Sequence, residues 1–217
     1  MIKIGIISRY YSSTNYGGLL QAYALCKYIN ALSDVYAEQI SYNSKNVSLN
    51  SSFVKLKEAS FKKRTVKALK KIKTVCIHQA TKLFINKSVC KRGEALKQFR
   101  ESIPHSKEVY DDQSINQTVD IYDIFITGSD RVWHPQRTNS AFYLTFAGDK
   151  VKASYAASLA ANKLSVEQKN DFSEIFKTFS AISVRESETV DILQSLTEKK
   201  NRMGGRSYIF IKKRGMG

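Results

Sequence analysis

The stretch MIKIGIISRYYSSTNYGGLLQAYALCKYINALSDVYAEQISY, residues 1–42, decides the fold of this chain. Ile4–Ile7 is a continuous apolar run, which is typical of a strand covered on both faces of a parallel sheet. After a polar loop, apolar residues recur at helical spacing. They are Leu20, Ala24, Leu25, Tyr28, Ile29 and Leu32. Val35–Tyr42 follows as a second strand, so the stretch predicts a β-α-β unit.

Strands and helices alternate along the rest of the chain. Strands are predicted over Tyr122–Thr127, Val151–Ala157 and Ile182–Val184. A helix begins at the capping-box pattern Ser165–Gln168, and another helix follows the last of these strands. Their apolar positions are Phe172, Ile175, Phe176 and Phe179, and then Val190, Ile192, Leu193 and Leu196. This alternation predicts an α/β fold with a Rossmann-like parallel sheet and right-handed crossovers.

The composition is that of an ordinary globular protein. No apolar run approaches the ~18 to 20 residues that a membrane span needs, and Met1–Ile7 is too short for a signal peptide, so we expect a cytoplasmic protein. The three cysteines, Cys26, Cys76 and Cys90, form no Cys-x-x-Cys spacing, which argues against a disulfide framework and against a zinc site. Cys26 is expected to be a buried helix residue rather than a nucleophile.

The net charge of +16 is concentrated in two segments. Lys55–Lys107 carries +13 and Lys199–Gly217 carries +7, while the remainder sums to −4. The sequence pattern predicts a helix over 53–102, with Leu69, Ile72, Cys76 and Leu83 on one face. Together with its positive charge, this pattern predicts a basic helical insertion over 53–107. It is either a solvated helix, a contact with an anionic membrane surface, or a nucleic-acid-binding module. Interleaved aromatics and a nucleic-acid motif are absent from the sequence, and we therefore expect no nucleic acid.

Three strand-to-helix junctions are candidate binding loops, because ligands of open α/β sheets bind beyond the carboxyl ends of the strands. The first is Asn15-Tyr16-Gly17-Gly18. Its glycines either let the backbone approach an anion at the helix start or serve a turn through their φ angle alone. The spacing is not Gly-x-Gly-x-x-Gly, which argues against a dinucleotide site and hence against a nucleotide cofactor.

The second junction, Thr127–Pro135, contains Gly128, Ser129, Asp130 and Trp133. An indole and a carboxylate suit a sugar, because aromatic rings stack on sugar rings and Asp accepts hydrogen bonds from hydroxyls. The alternative is that Trp133 is a core residue and that Asp130 caps a turn. The third junction is Ser183–Glu186, where Arg185 is either a fork for phosphate or carboxylate, or the ion-pair partner of Glu186.

Together these junctions form a family pattern. Asn15–Leu25 resembles the opening Asn-Tyr-Gly-(Gly/Ala)-x-Leu-Gln-Ala-Tyr-Ala-Leu of the polysaccharide pyruvyl transferases, and Tyr122–Pro135 is similar to their Tyr-Asp-x-Phe-Ile-x-Gly-Ser-Asp-Gln-Val-Trp-Asn-Pro. Lys152–Ser158 and Ile182–Glu186 resemble the next two blocks, in the same order. Four ordered blocks are far more specific than any one of them.

The resemblance implies the N-terminal half of a glycosyltransferase-B-like architecture of two Rossmann-like domains, with the active site between them. It implies transfer of the pyruvyl group of phosphoenolpyruvate to two hydroxyls of a sugar acceptor, with no cofactor and no metal. The expected substrate-binding residues are Asn15, Tyr16, Gly17, Gly18, Gly128, Ser129, Asp130, Trp133 and Arg185. A sugar carried by a polysaccharide or lipid-linked precursor would place the enzyme at the inner face of the membrane, with residues 55–107 as the contact.

The chain departs from the pattern in two ways. Arg131 stands where the family has Gln and His134 where it has Asn, which bears on the choice of acceptor. After residue 198 the family's Asp-Pro strand and second domain are not recognisable. We therefore expect an N-terminal domain over 1–198, an aberrant basic tail over 199–217 and a missing second domain. The alternative to an enzyme is a basic α/β module that binds an anionic membrane or nucleic acid.

Overall fold

The structure, a computed structural model, describes residues 1–11, 13–43, 87–129, 131–135, 140–161, 163–196, 200–204 and 207–211. Side chains are described within these ranges except at 87–90, 129 and 200–211. The chain divides into two compact units, Ser48–Gln98 and the remainder, Met1–Val47 with Phe99–Gly217.

The described elements alternate as the sequence predicts. They are β1 (Ile2–Ile7), α1 (Tyr16–Ile29), β2 (Val35–Tyr42), α2 (Lys87–Glu101), β3 (His105–Tyr110), β4 (Ile124–Ser129), β5 (Val151–Ala157), α3 (Val166–Lys177), β6 (Ala181–Val184), α4 (Ser187–Leu196), β7 (Lys200–Gly204) and β8 (Ser207–Ile211). Short 3₁₀ turns lie at Ile115–Asp120, Ser140–Tyr143 and Thr145–Ala147.

The strands form one sheet in the order β3-β2-β1-β4-β5-β6-β8-β7. The first six are parallel to one another, whereas β8 runs antiparallel to both β6 and β7. Helices occupy the connections from β1 to β2, from β2 to β3 and from β5 to β6. The predicted α/β fold with a parallel sheet is confirmed.

Strand β3 was not expected from the sequence. The predicted helical insertion extends to residue 107, but His105, Ser106 and Lys107 belong to this strand, which pairs with β2 at the sheet edge. Most of its side chains are exposed and polar, so it lacks the apolar signal of a central strand. Lys87–Glu101 is helical as predicted, while 53–86 lie outside the described residues.

Helix α1 forms where predicted, but of the predicted apolar positions only Ile29 is buried. The buried residues are Leu19, Ala22, Cys26 and Ile29. By contrast Leu20, Tyr28 and Leu32, all expected on the apolar face, are 41%, 72% and 53% exposed. Apolar side chains surround much of this helix, so spacing alone did not distinguish the face that packs on the sheet.

A core cluster that includes residues of β1 to β6 is rich in aromatic side chains. Its members Trp133, Phe125, Phe142, Phe176 and Phe179 are each at most 1% exposed. Helix α3 contributes Phe172 and Phe176 and begins with the predicted capping box, in which Ser165 and Gln168 bond reciprocally. No described helix combines the length and the apolarity needed to cross a bilayer.

A β-bulge interrupts the pairing of β4 with β5. Gly128 pairs with Tyr155 but Ser129 pairs with Ala157, so Ala156 is an extra residue. Its φ of 47° lies in the left-handed region, where a residue with a Cβ is uncommon. Arg131 and Ala160, which follow β4 and β5, also have positive φ, 55° and 50°. Three residues with left-handed backbone therefore lie at or just after the carboxyl ends of β4 and β5.

The residues expected to be an aberrant tail include two further strands. β7 and β8 pair with each other, and β8 adds to β6 with Val184 opposite Tyr208. The dipeptide Gly204-Gly205 is a hairpin-turn signal that the expectation of an aberrant tail overlooked.

Candidate functional site

The three predicted junctions begin at the same edge of the parallel sheet. Ile7 at the end of β1 pairs with Thr127 of β4, and Thr127 pairs with Ser154 of β5. One step further along, Ala157 pairs with Val184 of β6. Because all four strands are parallel, the loops that follow them leave from one rim. We call this edge the carboxyl rim.

Asn15 organises the first junction. Its side-chain Oδ1 accepts a hydrogen bond from Gly17 N (3.0 Å), which caps α1, and Ser13 Oγ accepts from Asn15 N (2.9 Å). Tyr16, the first helical residue, has a side chain that is 58% exposed. The Asn15 side chain therefore already serves the helix, and the exposed backbone beside it is what a ligand would meet.

Gly17 and Gly18 have no internal reason to be glycine. Among the residues that the structure describes, a Cβ on Gly17 would meet only Asn15 Oδ1 at 3.5 Å, and one on Gly18 would meet Ser13 Oγ at 3.6 Å, both ordinary contacts. Neither residue has a positive φ. The turn interpretation, which needed φ, is thus not supported, whereas bare backbone at a helix start suits close approach by an anion.

In the second junction, the packing of the sheet explains one predicted binding residue, and two others are described in part or not at all. A Cβ on Gly128 would lie 2.3 Å from Tyr155 O, so this glycine is required by the β4–β5 contact at the bulge. Ser129 ends β4, and only its backbone is described. Asp130 lies outside the described residues.

Trp133 is a core residue in this structure. It is fully buried, its indole Nε1 donates to Phe142 O (3.1 Å), and its ring packs on Phe176 and Phe179 at 4.7 and 5.9 Å between centroids. The ring has no open face for a sugar. The contacts correspond to the alternative of the sequence analysis, in which Trp133 holds its loop against the core.

Arg185 presents a charged side chain at the end of β6. The side chain is 47% exposed and its Nε lies 3.5 Å from Glu186 Oε1, while its backbone N donates to Ala157 O (3.2 Å). Thr189 Oγ1 donates to the second carboxylate oxygen of Glu186 (3.3 Å). Glu186 is thus held by two groups, and the ion pair interpretation and the anion fork are both compatible with this geometry.

Three polar groups at the carboxyl rim were missed from the sequence. Thr127 Oγ1 and Ser158 Oγ are fully buried and have no hydrogen-bond partner among the described residues. The Arg9 guanidinium lies over the Phe142 ring, 4.7 Å from its centroid. Arg9 follows β1 directly, and its position after a buried strand is the signal that could have identified it.

An apolar cavity of about 480 Å³ lies near this rim. Tyr143, Phe172, Ile175 and Pro135 line it, together with polar residues of α3. Of the predicted binding residues whose side chains the structure describes, none lines this cavity.

Comparison with known proteins identifies the family of this chain. Comparison with curated proteins and comparison with solved structures returned no match. A sequence model of one family, described as "Polysaccharide pyruvyl transferase", matches residues 15–205. The match includes all four sequence blocks and the loops that follow β4, β5 and β6 at the carboxyl rim. The chain therefore belongs to the polysaccharide pyruvyl transferase family.

Proposed function

We propose that this protein takes part in transfer of the pyruvyl group of phosphoenolpyruvate to two hydroxyls of one sugar, as a cyclic ketal. Family membership supports a transferase of this kind. The observation that carries the site is the exposed start of α1, with backbone bare at Gly17 and Gly18, on the same rim as Arg185. Both features favour an anionic substrate.

The reaction defines what the rim must supply. The methylene carbon of the enol takes a proton, and a sugar hydroxyl adds to the resulting cation and loses its own proton. The bond to phosphate then breaks, inorganic phosphate leaves, and the second hydroxyl adds with loss of its proton. This series of chemical steps requires a proton donor, and it requires cationic groups around the phosphate and the carboxylate of the substrate.

Arg185 is our candidate for one of these cations. Its side chain is 47% exposed, and its Nε lies 3.5 Å from Glu186 Oε1. The terminal nitrogens of a guanidinium match a carboxylate or phosphate in a bidentate way, which an ammonium group cannot reproduce. Arg185 N bonds to Ala157 O, so the backbone that carries the side chain is fixed to β5.

Tyr16 and Asp130 are the candidates for the acceptor side, while the backbone at the start of α1, which Asn15 caps, is the candidate contact for the donor. Asn15 and exposed Tyr16 lie at the start of α1, and Asp130 follows β4 in the chain. We assign Trp133 the role of a positioning residue, since its ring is enclosed by Phe176 and Phe179. It would hold the 131–135 loop while other residues contact the sugar.

Phosphoenolpyruvate titration of the full chain tests the donor assignment. Arg185→Lys keeps the charge but removes the bidentate fork, and we expect binding to weaken about tenfold, in line with the ~1.5–3 kcal/mol of a hydrogen bond to a charged group. Glu186→Gln is the matched neighbour and should retain binding. Affinity that is unchanged in Arg185→Lys would remove Arg185 from the site.

Transfer itself is tested by phosphate release from phosphoenolpyruvate in the presence of methyl glucoside or methyl galactoside. These two probes differ in the orientation of one hydroxyl and thus in the pair available for a ketal. We expect release that depends on a sugar, together with a new ketal methyl signal in the proton NMR spectrum. Phosphate release without that signal would indicate hydrolysis and contradict transfer.

The predicted membrane contact of residues 55–107 is a separate proposal. Most of this segment lies outside the described residues, and the support is its net charge of +13. Sedimentation with anionic vesicles, compared with neutral vesicles, is the measurement. Equal recovery with both would contradict the contact.

A further inference from the structure

A second cavity, of about 260 Å³, lies on the β1–β3 side of the sheet. The residues that matter in its lining are Tyr10, Tyr11, Ser41, Arg100, His105 and Lys107. They come from the loop after β1, from β2, from the end of α2 and from the start of β3. The family blocks of the sequence analysis do not include these positions, and we call it the β3 cavity.

The hydroxyl groups on one side of the β3 cavity satisfy one another. Ser41 Oγ donates to Ser106 O (3.0 Å), and a carbonyl can only accept. The bond between Tyr10 OH and Ser41 Oγ (2.9 Å) must therefore be donated by Tyr10. Ser106 Oγ in turn donates to Glu108 O (2.9 Å). These three hydroxyl hydrogens are used internally, so donors for a ligand must come from other side chains.

Tyr10 adds no opposing charge to the cavity. Burial raises the pKa of Tyr10 to about 12. The Arg100 guanidinium is near enough to lower the same pKa slightly. The phenol is neutral near pH 7, and the charge of the cavity depends on its other lining residues.

Those other residues are mainly basic. Arg100 and Lys107 have no ion-pair partner among the described residues, and Glu101 is the lining carboxylate that opposes them. His105 Nδ1 donates to Ile103 O (2.7 Å), because the carbonyl can only accept. This bond leaves Nε2 as the polar atom of the ring that remains for a ligand.

We infer that the β3 cavity binds the phosphate group of a phosphorylated small molecule, at a site separate from the proposed phosphoenolpyruvate site. Two cations that have no ion-pair partner in the described part of the chain line this concave surface together with an imidazole, and the hydroxyl hydrogens of Tyr10, Ser41 and Ser106 are already donated. A planar guanidinium next to an ammonium group is a set that suits phosphate oxygens. Half-buried Tyr11 and exposed Val109 offer apolar contact to the organic part of the ligand.

The β3 cavity is connected to the start of α1 through backbone. Tyr10 O accepts from Ser13 N (3.0 Å), and Ser13 Oγ accepts from Asn15 N (2.9 Å). A ligand against Tyr10 would thus contact the same loop that caps α1. The proposed binding does not depend on pyruvyl transfer, and its failure would leave that function untouched.

Titration of the full chain with inorganic phosphate and with glucose 1-phosphate tests this site. Replacing Arg100→Gln together with Lys107→Gln should weaken binding of both probes about tenfold or more, since two charge-assisted contacts are lost. Affinity for phosphoenolpyruvate should change less than twofold. The charge-preserving pair Arg100→Lys with Lys107→Arg should retain most of the binding of glucose 1-phosphate.

The matched control removes two positive charges elsewhere. Lys163 and Lys169 are exposed residues near α3, and Lys163→Gln with Lys169→Gln should leave probe affinity unchanged. Equal weakening in both double variants would show a general charge effect and overturn the site. The same conclusion follows if the native chain binds neither probe, or if the Arg100 and Lys107 pair instead removes phosphoenolpyruvate binding.

A measurement on the native chain makes the test independent of variants. Diethyl pyrocarbonate modifies free imidazole nitrogens, and peptide mass spectrometry separates His105 from the other two histidines, His78 and His134. We expect glucose 1-phosphate to slow modification of His105 at least threefold, while glucose has no effect. Modification of His105 at the same rate with and without glucose 1-phosphate would overturn the proposal.

Discussion

The carbonyl oxygen of Tyr155 lies 2.3 Å from the point where a Cβ on Gly128 would stand. The contact lies next to the bulge in which Ala156 is the additional residue. A carbonyl of the main chain cannot rotate away as a flexible side chain can. The glycine in the Gly-Ser-Asp block is thereby explained by strand packing, before any ligand is considered.

Gly128→Ala should destabilise the fold by about 1–3 kcal/mol or more, the usual cost of forcing extra volume into a packed region. Urea unfolding followed by circular dichroism measures it. Gly93→Ala in α2 is the matched control, because no atom of the described residues lies within 4 Å of its added Cβ. This change should stabilise the helix, by up to about 1 kcal/mol. Equal effects of the two variants would contradict the close approach.

Trp133→Phe should cost stability and leave substrate affinity nearly unchanged. The smaller ring keeps part of the contact with Phe176 but leaves Phe142 O without its donor, at a cost of about 1–3 kcal/mol in addition to the lost volume. Since Trp133 is the single tryptophan, its fluorescence reports on the site directly. We expect strong protection from acrylamide and no response to methyl galactoside. A sugar-dependent change in emission would favour ring stacking instead.

Asn15→Asp separates helix capping from anion binding. Aspartate also caps helices well, and its charge interacts favourably with the helix start, so the free energy of unfolding should hold steady within about 0.5 kcal/mol. The same charge beside Gly17 should repel phosphoenolpyruvate and weaken its binding about tenfold or more.

Ser165→Ala, at the capping box of α3, is the converse control for Asn15→Asp. It should lose about 0.5–2 kcal/mol of stability with unchanged phosphoenolpyruvate affinity. If Asn15→Asp bound the donor as tightly as the native chain, the start of α1 would not be its site.

Stability should decline at alkaline pH partly because of Cys26. Burial raises the pKa of its thiol from 9.0 to about 11, despite the hydrogen bond from Gln39. Between these values the unfolded chain loses a proton that the folded chain keeps, so the free energy of unfolding falls as pH rises from about 9 to 11. Cys26→Ala should flatten this decline in urea titrations, although it lowers stability at pH 7. An identical slope in both proteins would contradict the assignment.

Local pattern was sufficient for most of the sheet. β2 and β5 begin and end where their apolar residues predict, and the capping box of α3 is formed by Ser165 and Gln168 as expected. Strand β3 could not be predicted in this way, because its Lys107 and Glu108 side chains face solvent at the edge. The pairing of β3 with β2 depends on tertiary contacts, and the residues of β3 alone show little of the apolar pattern that predicts a strand.

The sheet edge from which the three junctions leave was predictable from the sequence, whereas the packing of the residues there was not. Ligands of parallel sheets bind beyond the carboxyl ends of the strands, and this rule predicts a site at the carboxyl rim. The family blocks in the sequence identify Asn15 and Arg185 as candidate residues there. The burial of Trp133 depends on Phe176 and Phe179, more than 40 residues later in the chain. The need for Gly128 depends on a bulge in a neighbouring strand. No single stretch of sequence contains either relationship.

The left-handed backbone at Ala156 also has a consequence for changes in chain length. Side chains of a strand alternate between the two faces of the sheet. Inserting one residue without a bulge would therefore move every later side chain of the strand to the opposite face. Here Ala156 takes up the additional residue, and Ala157 remains opposite both Ser129 and Val184. A natural variant one residue shorter at Ala156 would keep buried Ser158 and Leu159 on their own faces. The same deletion at Ser154 would turn over the residues between that point and the bulge and break the bonds to Ser183.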